Sequence, residues 1–211
     1  MGFATTVLRV VTGATMAGHG LQKLTNSLGG QGQDATAESF EKMGFKPGRP
    51  FAIATGMAET AGGALMVAGL GTPFACAMVS GVMAGAIAKV HYKNGFWLTE
   101  HGYEYNLHIL AATFAVAGSG GGALTLDALR GKKHRGLGWA LAQLAVGVGA
   151  AAGALAIADR QNGDKNWPAS TFTDRGPNSA GDEEADISSA VDLTSDGEAD
   201  DHAHTTAQPW I

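Results

Sequence analysis

The sequence predicts an all-α, polytopic membrane protein followed by a disordered acidic tail. Three observations carry this reading: apolar runs of bilayer-crossing length, a carboxylate lodged inside one of them, and an abrupt change of composition after Ala158. The run from Pro50 to Gly71, PFAIATGMAETAGGALMVAGLG, supplies the roughly 20 apolar residues that a helix needs to cross the hydrocarbon core. Glu59 lies near its middle, where a charged side chain costs on the order of 3 kcal/mol or more to insert. Chains that keep such a residue turn it into a protein interior, pair it, or protonate it.

Apolar segments recur along the first three quarters of the chain. The first, about Thr5–Leu24, carries Arg9 and His19 and ends at Lys23. The N-terminus lacks a Lys/Arg-rich region and a convincing cleavage site, so this stretch reads as a retained helix. The second is Phe51–Leu70. Pro73 opens the third, about Pro73–Val90, because a first-turn proline lacks only an N–H that the helix does not use. The fourth, about Glu104–Gly118, is short for a crossing, and the fifth, Gly138–Ala158, is rich in Ala and Gly. Between the first two, Ala35–Phe45 has the spacing of a short amphipathic helix on the membrane surface. Phe96 and Trp97 suit the interfacial aromatic belt.

Small residues stand where these helices meet: Gly56, Gly62 and Gly63, then Gly81 and Gly85, then Gly147 to Gly153. Such spacing lets helices approach closely and fits packing within one chain or a homo-oligomer. Up to Ala158 the chain has 11 Lys/Arg against 7 Asp/Glu, and beyond it 3 against 12, for a formal net charge of −5. The second part is poor in large apolar residues and cannot offset the entropy of ordering. Asp159–Ile211 is therefore expected to be disordered, a solubilising or partner-binding extension.

A single cysteine, Cys76, excludes an internal disulfide and any dithiol relay carried by this chain alone. Haem, iron–sulfur and dinucleotide motifs are absent from the sequence. Gly118–Leu137 combines GSGGG, read as a flexible turn into Asp127 as cap of a short helix, with the basic run RGKKHRG. That run lacks interleaved aromatics, which argues against nucleic acid and for a topology anchor. Crowding of Arg130, Lys132, Lys133 and Arg135 in one loop places it on the cytoplasmic side. With five crossings the N-terminus is then inside and the tail outside.

Polar side chains recur within the apolar segments. His19 and Lys23 are four residues apart on one helical face, and Arg9 lies about 80° from the first and 40° from the second. Glu59 shares its face with Gly56, Gly62, Gly63 and Met66. Gly81, Gly85 and Lys89 form a stripe leading to His91, and Glu104 and His108 are again four apart, with Asn106 nearby. One shared internal cluster is the economical arrangement. No pair among His19, His91, His108, Glu59 and Glu104 has the local spacing of a metal site.

This pattern resembles the DoxX family of small membrane proteins. The resemblance rests on Arg9 with HGLQK (His19–Lys23), AETAGGALMVAGLGTP (Ala58–Pro73), GFW (Gly95–Trp97), EYNLHILA (Glu104–Ala111) and GSGGGALTLD (Gly118–Asp127), in order over about Val7–Leu129. It implies a four-helix membrane bundle over residues 1–130. The basic loop and fifth transmembrane helix, 131–158, and the acidic tail, 159–211, are additions to that pattern. It also implies a multi-pass protein of the prokaryotic plasma membrane. Related proteins include a subunit of a thiosulfate:quinone oxidoreductase and components of oxidative-stress complexes with rhodanese-like and superoxide-dismutase partners; distant relatives act as assembly or trafficking chaperones.

The expected function is thus a membrane subunit of a redox or oxidative-stress complex, an oxidoreductase subunit acting with protein partners, with quinone as the cofactor suggested. Expected catalytic residues are Glu59, His19, Lys23, Arg9, Glu104 and His108; expected quinone contacts are His19, Glu59, Lys89 and Asn106. The competing expectation is a non-catalytic scaffold or assembly factor whose polar network only holds the bundle together.

Overall fold

A computed structural model describes residues 2–132 and 134–163. The described chain is all-helical. In order come α1 (Gly2–Leu24), α2 (Gly32–Lys42), α3 (Gly48–Ala68), α4 (Thr72–Ala86), α5 (Glu104–Ser119), α6 (Leu126–Leu129) and α7 (Leu137–Gly163). A π-helical turn, Ile87–His91, and a 3₁₀ turn extend α4 to Asn94. Among the described residues, three helices are long and apolar enough to cross a membrane: Gly48–Ala68, Thr72–Asn94 and Leu137–Gly163. α1 has 23 residues but is less apolar, and α5 has only 16.

Helix packing follows the small residues. Buried positions of α1 are Arg9, Thr12, Gly13, Met16, Gly20 and Lys23, and those of α3 include Gly56, Glu59, Gly62, Gly63 and Met66. Both sets recur every three or four residues, one face of a helix. A Cβ on Gly13 would stand 2.7 Å from the Gly63 carbonyl oxygen, and one on Gly20 would stand 2.6 Å from that of Gly56. The two backbones touch because neither helix carries a side chain there. Lacking a hydrophobic gradient in lipid, this close packing supplies the attraction.

Gly69, in the left-handed region at φ 63°, ends α3, its N–H returning to the carbonyls of Leu65 and Met66. This turn lets α4 fold back antiparallel, with Pro73 in its first turn. The core gathers Met16, Met66, Cys76, Val79, Met83, Ile109 and Val116 from α1, α3, α4 and α5. α7 packs against α4 and α5; a Cβ on Gly147 would stand 2.8 Å from the Ala77 carbonyl oxygen.

The expected fourth and fifth segments, Glu104–Gly118 and Gly138–Ala158, are α5 and α7, and α7 runs on to Gly163. Its last turn is held by Asn162 Nδ2 donating to the Gly44 carbonyl at 2.6 Å and by Asp159, 3.6 Å from Lys89. The rest of the acidic segment, 164–211, lies outside the described residues. The surface helix expected over Ala35–Phe45 is α2, three residues earlier.

The expected cap at Asp127 is relocated. Thr125 caps α6, its hydroxyl accepting from the Ala128 N–H at 3.0 Å. Asp127 instead caps α4 across space, accepting from the Gly71 and Thr72 N–H groups at 2.9 and 3.0 Å and from the Thr72 hydroxyl at 3.2 Å. Sequence distance hid this, since the capped helix lies more than fifty residues upstream.

Candidate functional site

α1 and α3 build the centre of the site. Lys23 sits one residue from the end of α1, whereas Glu59 sits in the middle of α3. A helical side chain leans toward its own N-terminus, so Lys23 reaches back along the α1–α3 seam to Glu59. Its Nζ lies 2.7 Å from Oε2 and 3.0 Å from Oε1. The carboxylate is 0% exposed and Lys23 is 6% exposed. Each charge offsets the other's desolvation, which neither could bear alone.

His19, one turn before Lys23, is half-buried and meets the ring of Tyr105 edge-on, with centroids 6.3 Å apart and planes at 73°. Tyr105 brings α5 to the cluster. Beside Glu59, the buried hydroxyl of Thr60 has no hydrogen-bond partner among the described residues. The arrangement offers a buried proton-holding pair with a half-buried imidazole and phenol at its edge.

Arg9 stands elsewhere. Its guanidinium donates to the carbonyls of Met66, of Val67 at 2.7 Å, of Gly121 at 2.8 Å and of Leu124 at 3.1 Å. Met66 and Val67 belong to the last turn of α3, whose carbonyls and dipole favour a cation. Arg9 therefore caps α3 and ties it to the Gly121–Leu124 turn.

The remaining candidates are dispersed. Glu104 is partly exposed and accepts from the Leu98 N–H at 2.9 Å, and His108 is exposed, its Nδ1 2.9 Å from the Glu104 carbonyl oxygen. Lys89 lies over the Phe45 ring at 5.6 Å, near Asp159. Asn106 is buried, donates to Met83 Sδ at 3.5 Å, and leaves its Oδ1 unpartnered among the described residues. Of the named candidates, Lys23 and Glu59 are in direct contact and His19 is their neighbour.

Two groups were not anticipated. Tyr105 stands beside Glu104 within a quoted motif, yet only folding aims it at His19. Ser80, Thr113 and Gln143 form a second buried polar cluster: the two hydroxyls are 2.9 Å apart, and Ser80 donates to Gln143 Oε1 at 2.9 Å. Gln143 is the single polar side chain between Leu137 and Ala158, a signal available in the sequence.

Residues 4–92, from α1 to the end of the π-helical turn, match the DoxX family model. This segment is similar to the DoxX family. The matched DoxX segment contains Arg9, His19, Lys23, Glu59 and Lys89, whereas Glu104, Tyr105, Asn106 and His108 lie beyond it. No curated protein and no solved structure matches the chain.

Proposed function

We propose that this DoxX-like protein is a multi-pass subunit of a quinone-linked redox complex, with α1, α3, α4, α5 and α7 all crossing the bilayer. The observation that carries this reading is the Lys23–Glu59 pair, buried yet one helical turn from the half-buried His19. Reduction of a quinone to a quinol takes two electrons and two protons. The electrons come from a partner protein, since the sequence contains no recognisable redox motif. His19 and Lys23 donate hydrogen bonds to a quinone carbonyl, and Glu59 relays the two protons in succession, taking each from water and passing it to a quinone oxygen.

A second reading, a non-catalytic scaffold or assembly factor, is favoured by Arg9 and Asp127, whose polar atoms are spent on backbone groups that hold helices together. Glu59→Gln separates the two, because it preserves shape and removes the ionisable carboxyl. The variant and the native chain are isolated from membranes in mild detergent, and copurifying proteins and quinone are quantified alongside quinone-reducing activity of the complex. Intact assembly with lost activity supports the redox subunit. Unchanged activity in the assembled variant refutes it and leaves the scaffold.

A further inference from the structure

The α6 region carries a surface that neither the Lys23–Glu59 site nor the bundle core uses. Leu124 and Leu129 are 88% and 83% exposed, and Leu137, the first residue of α7, is exposed as well. Leucines so bare in a short stretch ask for a covering partner. Interleaved with them, Arg130, Lys132 and Arg135 are exposed and enter no salt bridge among the described residues. No acidic residue occurs between Asp127 and Asp159. Asp127 itself faces inward, its oxygens taken up by Gly71 and Thr72.

The platform is held from several sides. Arg9 grips the carbonyls of Gly121 and Leu124, Asp127 N–H donates to the Gly69 carbonyl at 3.0 Å, and Gly136 N–H donates to that of Gly118 at 2.8 Å. Ala123 N–H donates to the Gly2 carbonyl at 3.1 Å, which sets the platform beside the start of α1. Cations and leucines are thus presented together by a folded turn.

We propose that Leu124, Leu129, Arg130, Lys132, Arg135 and Leu137 form a binding surface for the headgroups of anionic phospholipids. At the boundary between headgroups and acyl chains the leucines enter the apolar side, while Arg130, Lys132 and Arg135 meet phosphodiester oxygens.

The test reconstitutes the full chain into phosphatidylcholine bilayers containing trace spin-labelled phosphatidylglycerol or spin-labelled phosphatidylcholine, and reads the protein-bound fraction of each label. The phosphatidylglycerol label is expected to associate about fivefold more strongly, the effect of roughly one screened charge. R130Q/K132Q/R135Q is expected to bring the two labels close to parity, and millimolar inorganic phosphate is expected not to displace the lipid. Should the triple variant not fold, R130Q and K132Q singly are each expected to remove part of the preference. Equal association of both labels with the native chain overturns the proposal and leaves an acidic protein partner as the occupant. So does a preference that the substitutions leave unchanged, or one abolished by free phosphate.

Discussion

Removing Lys23 from beneath Glu59 gives the sharpest test of how this bundle is held. In Lys23→Met the apolar stem survives and the ammonium is lost, so packing along α1 changes little. Glu59, fully buried, then faces no cation at the 2.7 Å position. At an effective dielectric of about 20, two charges at such a separation attract by roughly 6 kcal/mol. Part of that gain offsets desolvation, and losing one partner of a buried pair costs about 3–5 kcal/mol. For a chain of this size that lowers the unfolding midpoint by on the order of 10 °C. Replacing both residues, Lys23→Met with Glu59→Leu, removes the orphaned charge and is expected to recover most of the loss. Thermal unfolding of the four proteins in one mild detergent completes the cycle. A single Lys23→Met variant within about 2 °C of the native midpoint, or a double variant whose loss equals the sum of the singles, refutes the coupling.

Other perturbations address the remaining contacts. Arg9→Lys keeps the charge but not the fork that serves four carbonyls, and is expected to cost about 2–4 kcal/mol in detergent unfolding; an unchanged midpoint contradicts the capping role. Asp127 gives a pH signature. Burial works against its charge, but the Thr72 and Gly71 amides, the Thr72 hydroxyl and nearby His134 outweigh it and hold the carboxyl below its ordinary value. Its stabilisation is therefore full above about pH 4 and is lost as pH falls through the lower folded-state value. Between neutral pH and pH 3 the native midpoint should fall further than that of Asp127→Asn, and parallel curves would disprove the linkage. Gly13→Ala places a methyl 2.7 Å from the Gly63 carbonyl oxygen, whereas Gly153→Ala meets nothing within 4 Å. The first is expected to lose about 1–3 kcal/mol and the second to be neutral in the same unfolding assay.

Much of the fold was legible because apolar runs, glycine spacing and Pro73 mark helices and their limits directly. Glu59 announced itself by its cost in an apolar segment, but the sequence offered both Arg9 and Lys23 as its partner, and only the structure selects Lys23. Arg9 shows where that reasoning fails. It shares a helical face with His19 and Lys23, but a face is an angle and says nothing of height. Fourteen residues at 1.5 Å each put Arg9 and Lys23 about 21 Å apart along α1, so Arg9 serves the last turn of α3 and Lys23 its middle. Asp127 was unreadable for a related reason: its partners at Gly71 and Thr72 are brought to it only by the antiparallel return of α5. Lys89 was read as part of a stripe, but the neighbours that set its role, Phe45 and Asp159, come from a loop and from α7.

The two buried cations of α1 also decide where the site can open. Arg9 fastens α1 to the last turn of α3, Lys23 fastens it to the middle of that helix, and Gly13 and Gly20 bring the backbones into contact between them. Along α1 the seam is thus held at Arg9, Gly13, Gly20 and Lys23. α5 also packs against α1, and there His19 and Tyr105, both half-buried, meet edge to edge at 6.3 Å. On the proposed function, a quinone approaches Glu59 past the His19–Tyr105 edge, with α5 yielding against α1 while the Lys23–Glu59 pair stays in place.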